Sequence, residues 1–313
     1  SIKTGSLTFT YISLITAGLL LLTSCATQKP TNSGSNDVVS ADSEGGGSLT
    51  IMNYTDYSTD MIMKWAMSAS DLMANREANV LTFLYPVGKS TGDSFLSGID
   101  FNKHDVVMSP EDQEALLGAI ELWLRADGCV GDEFFDPTSG GGDEFAMWRD
   151  WVEQGADAST MRILCPTTRV VAMGITPQLV WLGELELKRF LTHELYHAFQ
   201  QDLPIEGKCR ELSEDEATSN TPWMVEGGAH YFSSFVTGVV RGDAIYSAPG
   251  EEKVEENERV RMEILRDALR VYEDETPELH ESGPDKKGAA ALLLMVDKGL
   301  ITHEEIMDGS FFT

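Results

Sequence analysis

Apolar positions along this chain follow two rhythms. In "SPEDQEALLGAIELWLRADG" they recur at helical spacing. Ser109 stands as the N-cap, Pro110 lies in the first turn, Glu111 and Asp112 sit near the positive end of the dipole, and Gly128 ends the run. "DMIMKWAMSASDLMA", Asp60 to Ala74, also predicts a helix. Strand composition marks "LTIMNY" from Leu49, "NVLTFLY" from Asn79 to Tyr85 (closed by Pro86 and Gly88), and "TMRILC" with "RVVAMGI", joined by a turn at Pro166 and ending at Ile175. "DPTSGGGDEF", Asp136 to Phe145, predicts a loop, and with no Lys-Ser/Thr after its glycines it is no phosphate cradle.

Beyond Ile175 the pattern turns helical. One helix is predicted from about Gly183 to Leu203, then a polar acidic loop to Thr221. Thr221 and Pro222 repeat the cap-and-proline signature and open "WMVEGGAHYFSSFVTGVV". A charged helix from Glu251 to about Tyr272 predicts a solvated face. Lys286 to Gly299 predicts a buried helix whose apolar run is too short for a membrane span, and "THEEIMDG" a short capped one. No internal repeat is visible.

Composition sharpens this outline. The chain has 313 residues, 42% of them hydrophobic, enough for one sizeable core or two modest ones, and a formal net charge of −28. Such acidity argues against nucleic acid and anionic lipid as partners; it fits solubility, in a saline medium among others, or attraction of cationic substrates, for which no local feature speaks. Lys3 is followed by an apolar stretch of signal-peptide length ending in Leu22-Thr23-Ser24-Cys25, which resembles the bacterial lipoprotein box. The resemblance implies cleavage before Cys25, its lipidation, and, with Ala26 next, sorting onward to the outer membrane. The competing expectation is a short uncleaved anchor helix. Residues 26–48 are small, polar and Gly/Ser-rich and predict a flexible tether, leaving 49–313 as the functional domain. Cys129, Cys165 and Cys209 allow at most one bridge and one free thiol, and no Cys-x-x-Cys spacing suggests a cysteine metal or redox site.

The chemistry concentrates in "RFLTHELYHAFQQDL". On a helical wheel Leu187, Leu191, Leu195, Ala198 and Phe199 form a core stripe, with His193, Glu194 and His197 on the adjoining arc. Imidazoles four residues apart can converge on one ion, and neutral imidazole suits zinc. A carboxylate beside them, Glu194, can take a proton from a water on that ion. Catalytic zinc commonly has three protein ligands, and Glu226 in "PWMVEGGAHYF" is a candidate third. Gly227, Gly228 and Ala229 are small enough for that helix to approach the first closely. His230, four residues after Glu226, is open between a partly exposed bystander, a support for the ligands, an oxyanion donor and a substitute ligand. Tyr231 and Tyr246 are candidates to stabilise a tetrahedral intermediate. His104, His280 and His303 lack ligand spacing and are expected at the surface.

His193-Glu194-Leu195-Tyr196-His197 followed by Trp223-Met224-Val225-Glu226-Gly227-Gly228-Ala229 resembles the gluzincin branch of the zinc metallopeptidases, the peptidase MA-like proteins. The likeness covers Leu185 to Phe235. It implies zinc held by His193, His197 and Glu226, Glu194 as general base, a peptide or protein substrate, and that substrate extended along an edge strand, expected within Arg169 to Ile175. The implied fold is α+β and zincin-like: a small mixed or antiparallel sheet over the active-site helix, then a mostly helical C-terminal half. The 28 residues between His197 and Glu226 exceed the spacing of the best-known gluzincins and hold Cys209 and the acidic run Glu214 to Glu216, a potential lid or exosite. No motif for gripping a free N-terminus is present. The competing readings are a non-catalytic binding or scaffold lipoprotein with a vestigial zinc site, and a zinc hydrolase of non-peptide amides.

Overall fold

Strand β6 (Thr168–Ile175) has all eight residues buried, and alternate side chains enter different cores. Val171, Met173 and Ile175 join Leu49 and Ile51; Val170 and Ala172 join Leu81, Phe83 and Tyr85. The sheet is therefore covered on both faces, which is why its central strands read as unbroken apolar runs. The expected mixed sheet over the helix of His193 and His197 is present, and helices cover its other face as well.

The computed structural model describes residues 37–42, 46–73, 78–94, 102–136, 138, 143–157, 159–165, 168–200, 222–240, 256–274 and 283–312. Six strands form a mixed sheet: β1 (Asp37–Asp42), β2 (Ser48–Asn53), β3 (Asn79–Ser94), β4 (Asn102–Val106), β5 (Ser159–Cys165) and β6. The order is β1-β2-β3-β6-β5, with β4 on the extension of β3. β2, β3 and β6 are parallel; β1 and β5 run antiparallel to their neighbours. The fold is mixed α/β, compatible with α+β.

Helices α1 (Thr59–Ser70), α4 (Pro177–Leu182) and α5 (Glu184–Gln200) pack on one face. Helices α2 (Pro110–Asp127) and α3 (Asp143–Gln154) pack on the other. The signals at the ends of α2 act as expected: the Ser109 hydroxyl accepts from the Asp112 amide, and Gly128 closes the helix in the left-handed conformation. Among its described residues the C-terminal half holds α6 (Pro222–Thr237), α7 (Glu256–Asp274), α8 (Pro284–Asp297) and α9 (His303–Met307), with a third core around Tyr231, Ile264, Leu292 and Ile306. α9 opens with a capping box between Thr302 and Glu305.

Several expectations are corrected. Asp37–Asp42, read as tether, is a strand: Val39 and Ala41 turn toward the first core while its backbone pairs with β2. Two small apolar residues suffice where a neighbouring strand supplies the hydrogen bonds. Pro86 does not close β3; it sits where the strand exchanges β6 for β4 as its partner, a position that tolerates a missing donor. α3 begins inside the expected loop and buries Trp148 and Trp151. α7 is not only a solvated face, since Val260, Ile264 and Val271 are buried. No helix among the described residues is long and apolar enough to cross a membrane. Residues 1–36, including Cys25, lie outside the described residues.

Candidate metal centre

Gly183 ends α4 at a φ of 93°, and its carbonyl accepts from the amides of Glu186 and Leu187, so α5 starts afresh. The stripe Leu187, Leu191, Leu195, Ala198 and Phe199 is buried as expected. Tyr196, between the two histidines, donates its hydroxyl to the Ile306 carbonyl (2.6 Å), tying α5 to α9. The helix is thus fixed on its apolar sides, and His193 and His197 stand on the remaining side with 12% and 13% of their side chains exposed.

Glu226 meets them from α6. Its Oε2 lies 3.3 Å from His193 Nε2 and 3.3 Å from His197 Nε2, and the two ring nitrogens are 3.1 Å apart. Two ligands at zinc distances, subtending a tetrahedral angle, stand about 3.3 Å apart. The spacing of the three donors is therefore that of three ligands on one face of a tetrahedral metal site. Among the described residues they are the only such cluster of histidine, cysteine or carboxylate groups.

A residue absent from the sequence reading fixes the chemistry of His197. Gln200 donates its side-chain amide to the Val225 carbonyl (3.1 Å), so its oxygen faces His197 Nδ1 (2.9 Å). That oxygen can only accept, which puts a proton on Nδ1 and makes Nε2, toward Glu226, the nitrogen that can give up its proton to a metal. Gln200 lies three residues after His197, a spacing that could have revealed it.

The charges complement one another. Burial depresses the His193 pKa, partly offset by the contact with Glu226. Burial also opposes charge on His197, but the Glu226 carboxylate outweighs it and raises that pKa to about 10. Burial would raise Glu226, yet the two histidines hold it far below the usual carboxylate range. The cluster thus favours a positive charge at its centre, a proton or a cation. Glu194 is 5% exposed, and its charge acts on His197.

Other expectations fare differently. Tyr231 turns into the third core and its hydroxyl pairs with His303 Nδ1 (2.9 Å), so it does not face the three donors. His303 is therefore no free surface residue, and His104 is buried with its amide on the Gly155 carbonyl. His230 is 2% exposed, not a partly exposed bystander. Gly227 serves a different contact from the one expected: a Cβ there would meet the Gly288 backbone of α8 at 2.5 Å, while Ala229 faces the α5 core. β6 is flanked by β3 and β5, so Arg169 to Ile175 is not an edge; the edge on the α5 side is β5. Tyr246, His280 and Cys209 lie outside the described residues. Cys129 is disulfide-bonded.

Comparison with known protein families, curated proteins and solved structures finds no match to this chain.

Proposed function

We propose that this chain is a zinc-dependent peptidase of gluzincin type on a zincin-like framework. The observation that carries the reading is the convergence of His193, His197 and Glu226, from two helices, at tetrahedral-edge spacing. A zinc ion held there would lower the pKa of a coordinated water to about 7 and polarise a carbonyl. Glu194, buried beside His193 in the chain, would be the carboxylate that accepts a proton from that water and passes it to the leaving amine. Gln200 keeps His197 in the ligating tautomer. The edge strand β5, beside β6 and in contact with α5, is where an extended substrate backbone would add. The apolar segment and Leu22-Thr23-Ser24-Cys25 extend the proposal to a lipid-anchored envelope protein, which radiolabelled palmitate incorporation lost in Cys25→Ser would test.

The decisive experiment is metal analysis of the purified protein beside His193→Ala, with peptide-library cleavage by each. One zinc per chain, lost together with cleavage in the variant, is expected. A wild-type protein that takes up no zinc overturns the reading; one that takes up zinc but cleaves nothing is a binding or scaffold lipoprotein.

A further inference from the structure

His193 and His197 are supported unequally. Gln200 holds the outer nitrogen of His197, whereas the outer nitrogen of His193, Nδ1, is buried without a hydrogen-bond partner among the described residues. Both ring nitrogens of His230 are likewise buried and unpartnered. Buried polar atoms in native proteins are almost always satisfied, by protein or by ordered water. Histidines that bind metal almost always donate their second N–H.

The helix register brings these atoms together. Gln200 reaches Val225, His197 reaches Glu226, and His193, one turn earlier on α5, also reaches Glu226. The two helices therefore run antiparallel, and one further turn along α6 brings His230 toward His193 and Arg189. The charged and titratable groups acting on His230 are Arg189 and His193 from α5 and Asp285 and Lys286 from α8. Arg189 is engaged by Glu186 through two hydrogen bonds. On the far side Asp285 Oδ2 stands 3.9 Å from His230 Nδ1, and its side chain is 32% exposed. A movement of about 1 Å by that half-free carboxylate brings the pair to hydrogen-bond distance.

We infer that His230 is a positioning residue for the metal centre: one buried water links His193 Nδ1–H to His230 Nε2, and His230 Nδ1–H donates to Asp285. The chain satisfies all three orphan nitrogens with a single proton arrangement. His193 gives its proton outward and keeps Nε2 free; His230 accepts at one nitrogen and donates at the other; the carboxylate anchors the end. The order of proton donors runs from ligand to α8, so the second helical layer orients a ligand it does not touch. Burial, opposed by Asp285, holds His230 neutral, as a residue that accepts at one nitrogen must be.

This inference rests on the zinc reading, and its test separates the two. Zinc affinity is measured by competition with a chromophoric chelator for wild type, His193→Ala, His230→Phe, His230→Gln and Asp285→Ala. The visible spectrum of each cobalt-substituted protein is recorded. His230→Phe is expected to bind zinc about 10–100-fold more weakly, with a shifted cobalt spectrum, His230→Gln to recover part of the loss, and Asp285→Ala to lose affinity in the same direction. Wild-type affinity in a folded His230→Phe, while His193→Ala binds none, overturns the relay and leaves the zinc site standing. If His230→Phe does not fold, unchanged affinity and spectrum in Asp285→Ala overturn it equally. No zinc uptake by wild type removes both.

Discussion

Gly288 of α8 lies so close to Trp223 of α6 that a Cβ on it would fall 1.9 Å from the Trp223 carbonyl oxygen. Gly227 faces it from the other helix, next to Glu226. Glycine in a helix interior costs about 1 kcal/mol relative to alanine, so its presence at both positions reflects backbone proximity. Gly288→Ala is expected to lower stability by about 1–3 kcal/mol in urea unfolding despite the better helix former, because the crossing must open. Gly118→Ala in α2, where a Cβ meets nothing within 4 Å, is the control and is expected to gain a few tenths to about 1 kcal/mol.

On the proposed mechanism, removing the base without removing a ligand separates chemistry from binding. Glu194→Gln is expected to keep zinc and lose about 10²–10⁴-fold in kcat. Glu226→Gln, which removes an anionic ligand, is expected to lose zinc itself. Metal content and steady-state peptide cleavage, measured side by side, distinguish the two. Full activity in Glu194→Gln would exclude that residue as the base.

Gln200→Leu removes the acceptor for His197 Nδ1–H and the link to Val225. Zinc affinity is expected to fall about 10–100-fold, with Gln200→Glu retaining more of it because a carboxylate also accepts. Equal affinity in wild type and Gln200→Leu by chelator competition would show that the tautomer is set elsewhere.

Alkaline stability follows from two tyrosines. Tyr85 donates to the Ala156 carbonyl (3.0 Å) and Tyr196 to that of Ile306, and burial pushes both phenols up from their ordinary value of 10.0. Above pH 10 the unfolded chain has released these protons while the native chain keeps them. The native state then binds more protons, and stability falls as pH rises. The melting temperature is expected to drop from about pH 10 upward, more gently in Tyr85→Phe, whose overall stability is lower. Parallel curves for the two proteins would contradict it.

The donors of the candidate site were legible because helical spacing is a local property. His193, Glu194 and His197 share a face by arithmetic, and Pro222 in the sequence marks where the helix bearing Glu226 begins. What escaped was set by tertiary partners. The strand at Asp37 forms because β2 is there to pair with, not through its own composition. α3 hides two tryptophans among charged residues after a glycine run. Strand order made β6 internal, and no periodicity carries that information. The glycines of α6 announced a close approach but not its partner, which proved to be α8. Asp285 looks like an ordinary polar residue until the helix it faces is known, whereas Gln200 was within reach of helical spacing from His197.

The helix bearing Glu226 is a party wall. Ala229 and Phe232 look into the chamber roofed by the sheet, whereas Tyr231 looks into the one built by the last three helices. A cation bridging α5 to this wall would rivet the two chambers together. Chelation then does more than silence a site: a calorimetric trace that is one sharp peak in the loaded protein is expected to broaden or split once the rivet is drawn.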